Sequence, residues 1–414
     1  MSERRVVITG MGAITPVGKT APDFWNGLVS GTSGAQPIEH FDVSKFDTSF
    51  AAQIDKYEPT DYFGRKEAKR LDRFAQYALI ATEEAIQDSK VNMDSIDKDR
   101  VGVMIGSGIG GMDTFYKQAV QFSERGPRGI SPFFIPMLIP DIAAGQVSIK
   151  YGFKGPNFCT VSACATGAHN IGHAYDAIKH GTCDFAVAGG AEAPVIEMGV
   201  SGFNAMKAMS TNNEEYKTAS RPFDKTRDGF VLGEGSAMLW LEDYDSAVKR
   251  GARIYGELVG YGFSADAHHI TAPDPEGKGV RLALSQALNS ANIKPEDVQH
   301  INMHGTATNL GDIAETNSIK KVFGDHAYKM NLNSTKSMTG HMLGAAGAAE
   351  TLAALLSIYH GMIPPTINYN YPDPDCDLNY TVNEAEVRDV RYAISNAFGF
   401  GGHNTSLVVK KFEE

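Results

Sequence analysis

Short apolar runs alternate along the chain with stretches of helical period. "RVVITG" from Arg5, "RVGVMIG" from Arg100 and "CDFAVAGGAEA" from Cys183 are apolar on both faces and run into glycine, which predicts buried strands. "EAKRLDRFAQYALIATEEAIQD" has the other period. Leu71, Phe74, Ala78, Ala81 and Ala85 share one face of a predicted amphipathic helix. "NFCTVSA" reads as strand and "ATGAHNIGHAYDAIKHG" as helix, closed by Gly181. Strand and helix in alternation predict an α/β protein, with a mainly parallel sheet covered by helices.

The pattern begins again halfway. "RVVITGMGAITPVG" near the start is echoed by "ARIYGELVGYGFSADA" from Ala252, and "CDFAVAGGAEAPV" by "RYAISNAFGFGGHN" near the end. Each half also carries a small-residue helix after a strand, one starting near Cys164 and one near His341. Three echoes in one order predict a duplicated architecture, divided into 1–251 and 252–414.

Composition narrows the classes. The 414 residues carry 42% hydrophobic side chains, ample for a large core. A net charge of −11 argues against nucleic acid as a partner of the whole surface. Four scattered cysteines suit a reducing cytoplasm and no disulfide framework. The first apolar run breaks at Gly10, so it reads as strand and turn and not as a signal peptide. No apolar run reaches the ~18 residues that a membrane span needs.

Candidate chemistry starts at Cys164, between Ala163 and Ala165 at a strand-to-helix turn. Unpaired N–H groups at a helix N-terminus favour a thiolate and can hold an oxyanion, so an ionised nucleophile is expected there. Cys159 and Cys183, inside apolar runs, read as inert. His304 in "NMHGTATNLGD" and His341 in "NSTKSMTGHMLGAAGAAE" follow apolar runs and open into glycine-rich loops. Two such histidines complement a cysteine in a nucleophilic site. With His403 they raise a zinc alternative, but the spacings of 37 and 62 residues carry no ligand signature. Gly106, Gly108 and Gly111 spell G-x-G-x-x-G after a strand. The "SERGPRGISPFFIPMLIPD" that follows lacks the second strand and acidic residue of a dinucleotide site. Arg65, Lys66, Lys69, Arg70 and Arg73 crowd the predicted first turns of the long helix. They are either a solvated face or, with Arg125 and Arg128, a docking patch for a small acidic partner.

Four blocks, "SACATG", "HGTATNLGD", "NSTKSMTGHMLGAAG" and "SNAFGFGGHN", taken in order, closely resemble the signatures of the β-ketoacyl-acyl carrier protein synthases, best of all the elongating type II branch. The likeness runs from "RRVVITGMG" to "LVVKKF". It implies a thiolase-like fold of two duplicated halves in five α-β-α-β-α layers, as a cytoplasmic homodimer serving an acyl carrier protein. It further implies that Cys164, His304 and His341 form a catalytic triad supported by Lys336 and Glu350. The Phe400 N–H would join that of Cys164 in an oxyanion hole. Thr306 and Thr308 would hold the phosphopantetheine arm, and Ile109, Phe203, Glu350 and Phe398 would contact the acyl substrate. "TGHMLG" argues for elongation, since initiating relatives carry Asn in place of the last histidine. No redox cofactor or catalytic metal is implied, and a structural monovalent cation is compatible. Asn309 and His403 depart from the family's usual Pro and Thr. A thiolase, a polyketide ketosynthase, a catalytically silent partner subunit and a nucleotide-dependent oxidoreductase are the competing readings.

Overall fold

In a computed structural model, residues 3–413 are described. The first half contributes β1 (Val6–Ile14), α1 (Arg73–Ser89), β2 (Val101–Gly106), α2 (Met112–Arg125), β3 (Asn157–Phe158), α3 (Thr166–Lys179), β4 (Phe185–Glu192) and β5 (Gly235–Asp243). The second half contributes β6 (Gly256–Ala265), α4 (Lys278–Ala291), β7 (His300–Asn302), α5 (Asn309–Phe323), β8 (Asn331–Asn333), α6 (Ala346–His360), β9 (Tyr392–Gly399) and β10 (His403–Lys410).

The ten strands form one sheet in the order β8-β7-β9-β10-β6-β1-β5-β4-β2-β3. From either edge to the centre, each half therefore has its third, second, fourth, fifth and first strand. The directions repeat too. β3, β2 and β4 are parallel and β5 and β1 alternate, matching β8, β7, β9, β10 and β6. The halves join where Val6–Ile8 of β1 pairs antiparallel with Gly256–Leu258 of β6. The duplication read from three echoes is a repeat of complete topology, with the changeover between Asp243 and Gly256.

Helices α3 and α6 form the central layer. α3 touches β2 and β4 of its own half and β6 and β10 of the other. α6 touches β9 and β10 and, across the molecule, β4 and β5. α1 covers the outer face of β1, β5 and β4, and α4 that of β6 and β10, which completes five layers. A middle layer has no solvent face, so α6 is buried on every side from Ala346 to Ile358. Small residues let the two central helices touch: a Cβ on Gly167 would lie 3.0 Å from that of Ala348, and one on Gly347 2.9 Å from that of Ala168.

The sheet is not mainly parallel as expected, since β5, β1, β6 and β10 at its centre all pair antiparallel, and two expectations about local structure are also corrected. The long helix begins at Arg73, capped by the buried Asp72, while Arg65–Ala68 forms a separate short turn of helix. Arg65, Lys66, Lys69 and Arg70 therefore do not oppose its dipole. Asp72 also accepts from the Thr114 N–H and hydroxyl, which ties the start of α1 to that of α2. In "NFCTVSA" only Asn157–Phe158 pairs as strand, because the chain must leave the sheet edge to form the turn that presents Cys164.

Candidate active site

Each half places a tight turn before its central helix. Ala163–Ala165 leads into α3 and Leu343–Ala345 into α6, and the first residue of each turn has a left-handed backbone, φ +51° at Ala163 and +45° at Leu343. A non-glycine residue there is strained, a cost of order 1–3 kcal/mol that persists only where the surroundings enforce it. The turn aims Cys164 inward at the head of α3. The His341 backbone arrives from the other half, held by hydrogen bonds with Val231 and Gly233.

The side chains converge. His341 Nε2 lies 3.1 Å from Cys164 Sγ. The rings of His304 and His341 meet edge to face at 5.3 Å. Lys336 Nζ donates to His304 Nδ1 at 3.3 Å and is paired with Glu350, both almost fully buried. With Nδ1 accepting, a neutral His304 carries its proton on Nε2. Burial and the Lys336 charge hold both imidazoles well below their ordinary range, so both are neutral.

The thiol departs from expectation. Burial pushes Cys164 up to about 12, although Lys336 and a hydrogen bond from the Phe400 N–H pull the other way. Desolvation outweighs the helix terminus, and the resting pair is a neutral thiol facing a neutral imidazole.

These groups stand in a mainly apolar cavity of about 370 Å³, which Phe203, Thr306, Thr308, Phe398 and Phe400 also line. Ile109 packs behind it, in one apolar cluster with Cys164, Phe203, Phe230 and Leu343. Glu350 is corrected. It lines no part of the cavity, and its carboxylate is spent on Lys336. Asn309, the first residue of α5, accepts from the buried Arg227 guanidinium through both its carbonyl and its side-chain oxygen. His403 is exposed and outside the cavity lining. Arg65, Lys66, Lys69 and Arg70 are exposed, as are Arg125 and Arg128. Arg70 lies over the Phe133 ring at 4.8 Å.

Three buried groups that carry the site escaped the sequence reading. Glu315 accepts from the N–H groups of His304 and Gly305 and so holds the histidine's backbone. Arg227 holds the carbonyls of Thr308 and Asn309 and pairs with Asp312 and Asp373. Glu192 accepts from the Ser107 hydroxyl and the N–H groups of Gly108 and Ile109. The donors with which a glycine-rich loop would cradle a diphosphate are thus already taken by the protein's own carboxylate. The only sequence signal for Glu192 was an acidic residue at the end of an apolar strand, in "AGGAE".

Known proteins share the fold and much of the sequence. Residues 3–247 match the model of the beta-ketoacyl synthase N-terminal domain, and residues 255–370 that of its C-terminal domain. The 3-oxoacyl-(acyl-carrier-protein) synthase 2 of Staphylococcus aureus strain COL is 49% identical over 410 residues, covering 99% of both chains. A protein of the same name from Synechocystis sp. is 46% identical over 413 residues, covering 100% of this chain and 99% of that one. Among solved structures, a beta-ketoacyl synthase from Burkholderia phymatum superposes with a TM-score of 0.91 at 34% identity, over 99% of this chain and all of the other. A type II polyketide ketosynthase in complex with its acyl carrier protein superposes at 0.93, also at 34%, over the whole of both chains. With both family models matched and near-half identity end to end, the chain belongs to the β-ketoacyl synthase family.

Proposed function

We propose that the protein elongates fatty acids by decarboxylative Claisen condensation, joining malonyl-acyl carrier protein to an acyl group held on Cys164 and releasing the 3-oxoacyl-acyl carrier protein. One observation carries this reading: a cysteine and two neutral histidines, 3.1 Å and one ring contact apart, meet at the wall of an apolar cavity. Cys164 Sγ attacks the acyl thioester as its proton passes to His341 Nε2. The N–H groups of Cys164 and Phe400 hold the oxyanion, and the departing carrier thiolate takes that proton back, leaving His341 neutral. Malonyl thioester then enters and loses CO₂. Once Cys164 is acylated, His341 takes by exchange with water the tautomer protonated on Nε2, and the Nε2–H groups of His304 and His341 stabilise the enolate without protonating it, because a neutral imidazole is a weak acid. Enolate carbon attacks the acyl-cysteine carbonyl, the tetrahedral oxyanion collapses and expels the Cys164 thiolate, and that thiolate is reprotonated from water.

In this reading 1–251 carries the nucleophile and 252–414 the histidines. Thr306 and Thr308 take the phosphopantetheine arm that arrives with each substrate, while Phe203, Phe398 and Ile109 shape the acyl pocket. No step draws on a redox cofactor or a metal. For a structural monovalent cation, the buried, unpartnered oxygens of Asn302 and Ser395, cross-strand neighbours on β7 and β9, are the fitting donors. A thiolase would need a second cysteine at the cavity, and Cys159, Cys183 and Cys376 line none of it. A cytoplasmic setting suits four free cysteines, and no helix of the described residues is long and apolar enough to cross a membrane. A homodimer suits the unpaired edge at β3 and the exposed Phe115 and Phe122 of α2, Ile135, and Phe158 of β3 itself.

Intact-protein mass spectrometry after exposure to acyl-carrier thioesters of graded length tests the whole. One acyl mass on Cys164 is expected, and its absence at every length would refute the reading. Native spectra of the same samples read the dimer. Carrier docking has its own test. The exposed Arg65, Lys66, Lys69 and Arg70 suit an acidic carrier protein, with Arg125 and Arg128 extending the patch. Lys66→Glu with Arg70→Glu should raise KM for carrier-borne substrate about tenfold and leave a pantetheine-thioester analogue unaffected. Equal effects on both would remove the patch from docking.

A further inference from the structure

The loop after β2 and the turn before α6 belong to different halves, yet one side chain holds both. Glu192, the last residue of β4, is 1% exposed. Its Oε1 accepts from the Ser107 hydroxyl at 2.5 Å and the Ile109 N–H at 3.2 Å. Its Oε2 accepts from the N–H of Gly108 at 2.7 Å and of Gly344 at 2.9 Å. Three of these partners are backbone N–H groups, which can only donate. Burial pushes the Glu192 carboxyl up and these four donors pull it down; with both oxygens accepting, the contacts fit a carboxylate anion neutralised by backbone dipoles rather than by a cation.

Duplication gives this contact its meaning. Cys164 and Gly344 are the middle residues of equivalent turns, each following a left-handed residue and preceding a central helix. At the first turn, Cys164 opens on the cavity. At the second, the corresponding N–H is occupied by Glu192, and a Cβ on Gly344 would come within 2.6 Å of Glu192 Oε2 and 2.4 Å of the Gly108 nitrogen. The second elbow is plugged from inside. Ile109 and Leu343, carried by the two segments the plug joins, pack in the same apolar cluster as Cys164.

We propose that Glu192 is a positioning residue for chain-length selection: by filling the non-catalytic elbow it pins the Ile109 loop of one half, packed behind the acyl pocket around Cys164, to the Leu343 turn of the other, which lines it. This rests on the acyl-transfer reading above. Its charge also opposes ionisation of Cys164.

The test is Glu192→Gln in the full-length protein, which keeps the shape and turns an amide donor toward N–H groups. Loading of Cys164 is measured with a short and a long acyl-carrier thioester, alongside alkylation by iodoacetamide, which needs no acyl pocket. Hydrogen bonds to a charged group are worth enough that the long-to-short loading ratio should fall about tenfold or more. The alkylation profile should move to lower pH, since a negative charge near the sulfur is gone. An unchanged loading ratio in the folded variant overturns the proposal. Should Glu192→Gln not fold, Ser107→Ala removes one donor and should lower the ratio in the same direction by roughly threefold, and no change there overturns it equally. If the wild-type protein takes up no acyl group, it is the acyl-transfer reading that fails.

Discussion

Cys164→Ala should show no acyl mass with any carrier thioester, and turnover should fall by about 10⁶-fold, the scale on which removal of a covalent nucleophile acts. The fold should survive, because the substitution removes one sulfur beside the open cavity and leaves the His304–Lys336–Glu350 chain intact. Malonyl decarboxylation should persist above background, since the two imidazoles that hold the enolate remain. Released CO₂ measured beside intact mass separates the two half-reactions. A covalent acyl-enzyme on Cys164→Ala would show that another residue is the nucleophile.

Lys336→Met should act on a different step. It deletes the ammonium that makes His304 Nδ1 an acceptor, so condensation should drop by on the order of 10²–10⁴, the range of a lost acid–base contribution. Loading of Cys164 should suffer far less, because His341 Nε2 still faces the sulfur. Stability should change with a defined pH signature. Breaking a buried ion pair costs about 3–5 kcal/mol. Burial pushes the Glu350 carboxyl up and Lys336 pulls it down, so without Lys336 it rises further above its unfolded value. A group whose folded pKa is raised contributes stability at low pH that is lost as pH rises. The deficit of Lys336→Met against wild type should therefore grow with pH across the neutral range, as read by denaturant titration. A deficit that shrinks with rising pH would mean that Glu350 is not paired with Lys336 in solution.

Much of the architecture was legible along the chain. The apolar runs at Val6, Val101 and Phe185 were recognisable as buried strands, though β1 runs on through Gly10 to Ile14 where a turn was expected, because its pairing with β5 carries it past the glycine. The echoes at Ala252 and Arg391 located the repeat, because equivalent strands must meet the same central layer. Cys164, His304 and His341 stood out, each where an apolar run breaks into small residues. The long helix was placed correctly but started too early, since nothing in "EAKRLD" announces that Asp72 turns back to cap α1 and bind Thr114 at once.

What remained hidden depends on partners far apart in the chain. A helix N-terminus, visible from local pattern, favours an ionised Cys164. The opposing desolvation comes from walls distant in the chain, Phe203 and Phe230 of its own half and Leu343 and Phe398 of the other, and it wins. Glu350, read both as support for the triad and as a substrate contact, is held by a lysine fourteen residues before it and lines none of the cavity. Glu192 sits 84 residues from one donor and 152 from another. Propensity, capping and periodicity act within a few residues and are written in the order of amino acids. Burial and the pairing of buried charges arise only when segments far apart in the chain pack against one another, and they set the protonation states at this sulfur.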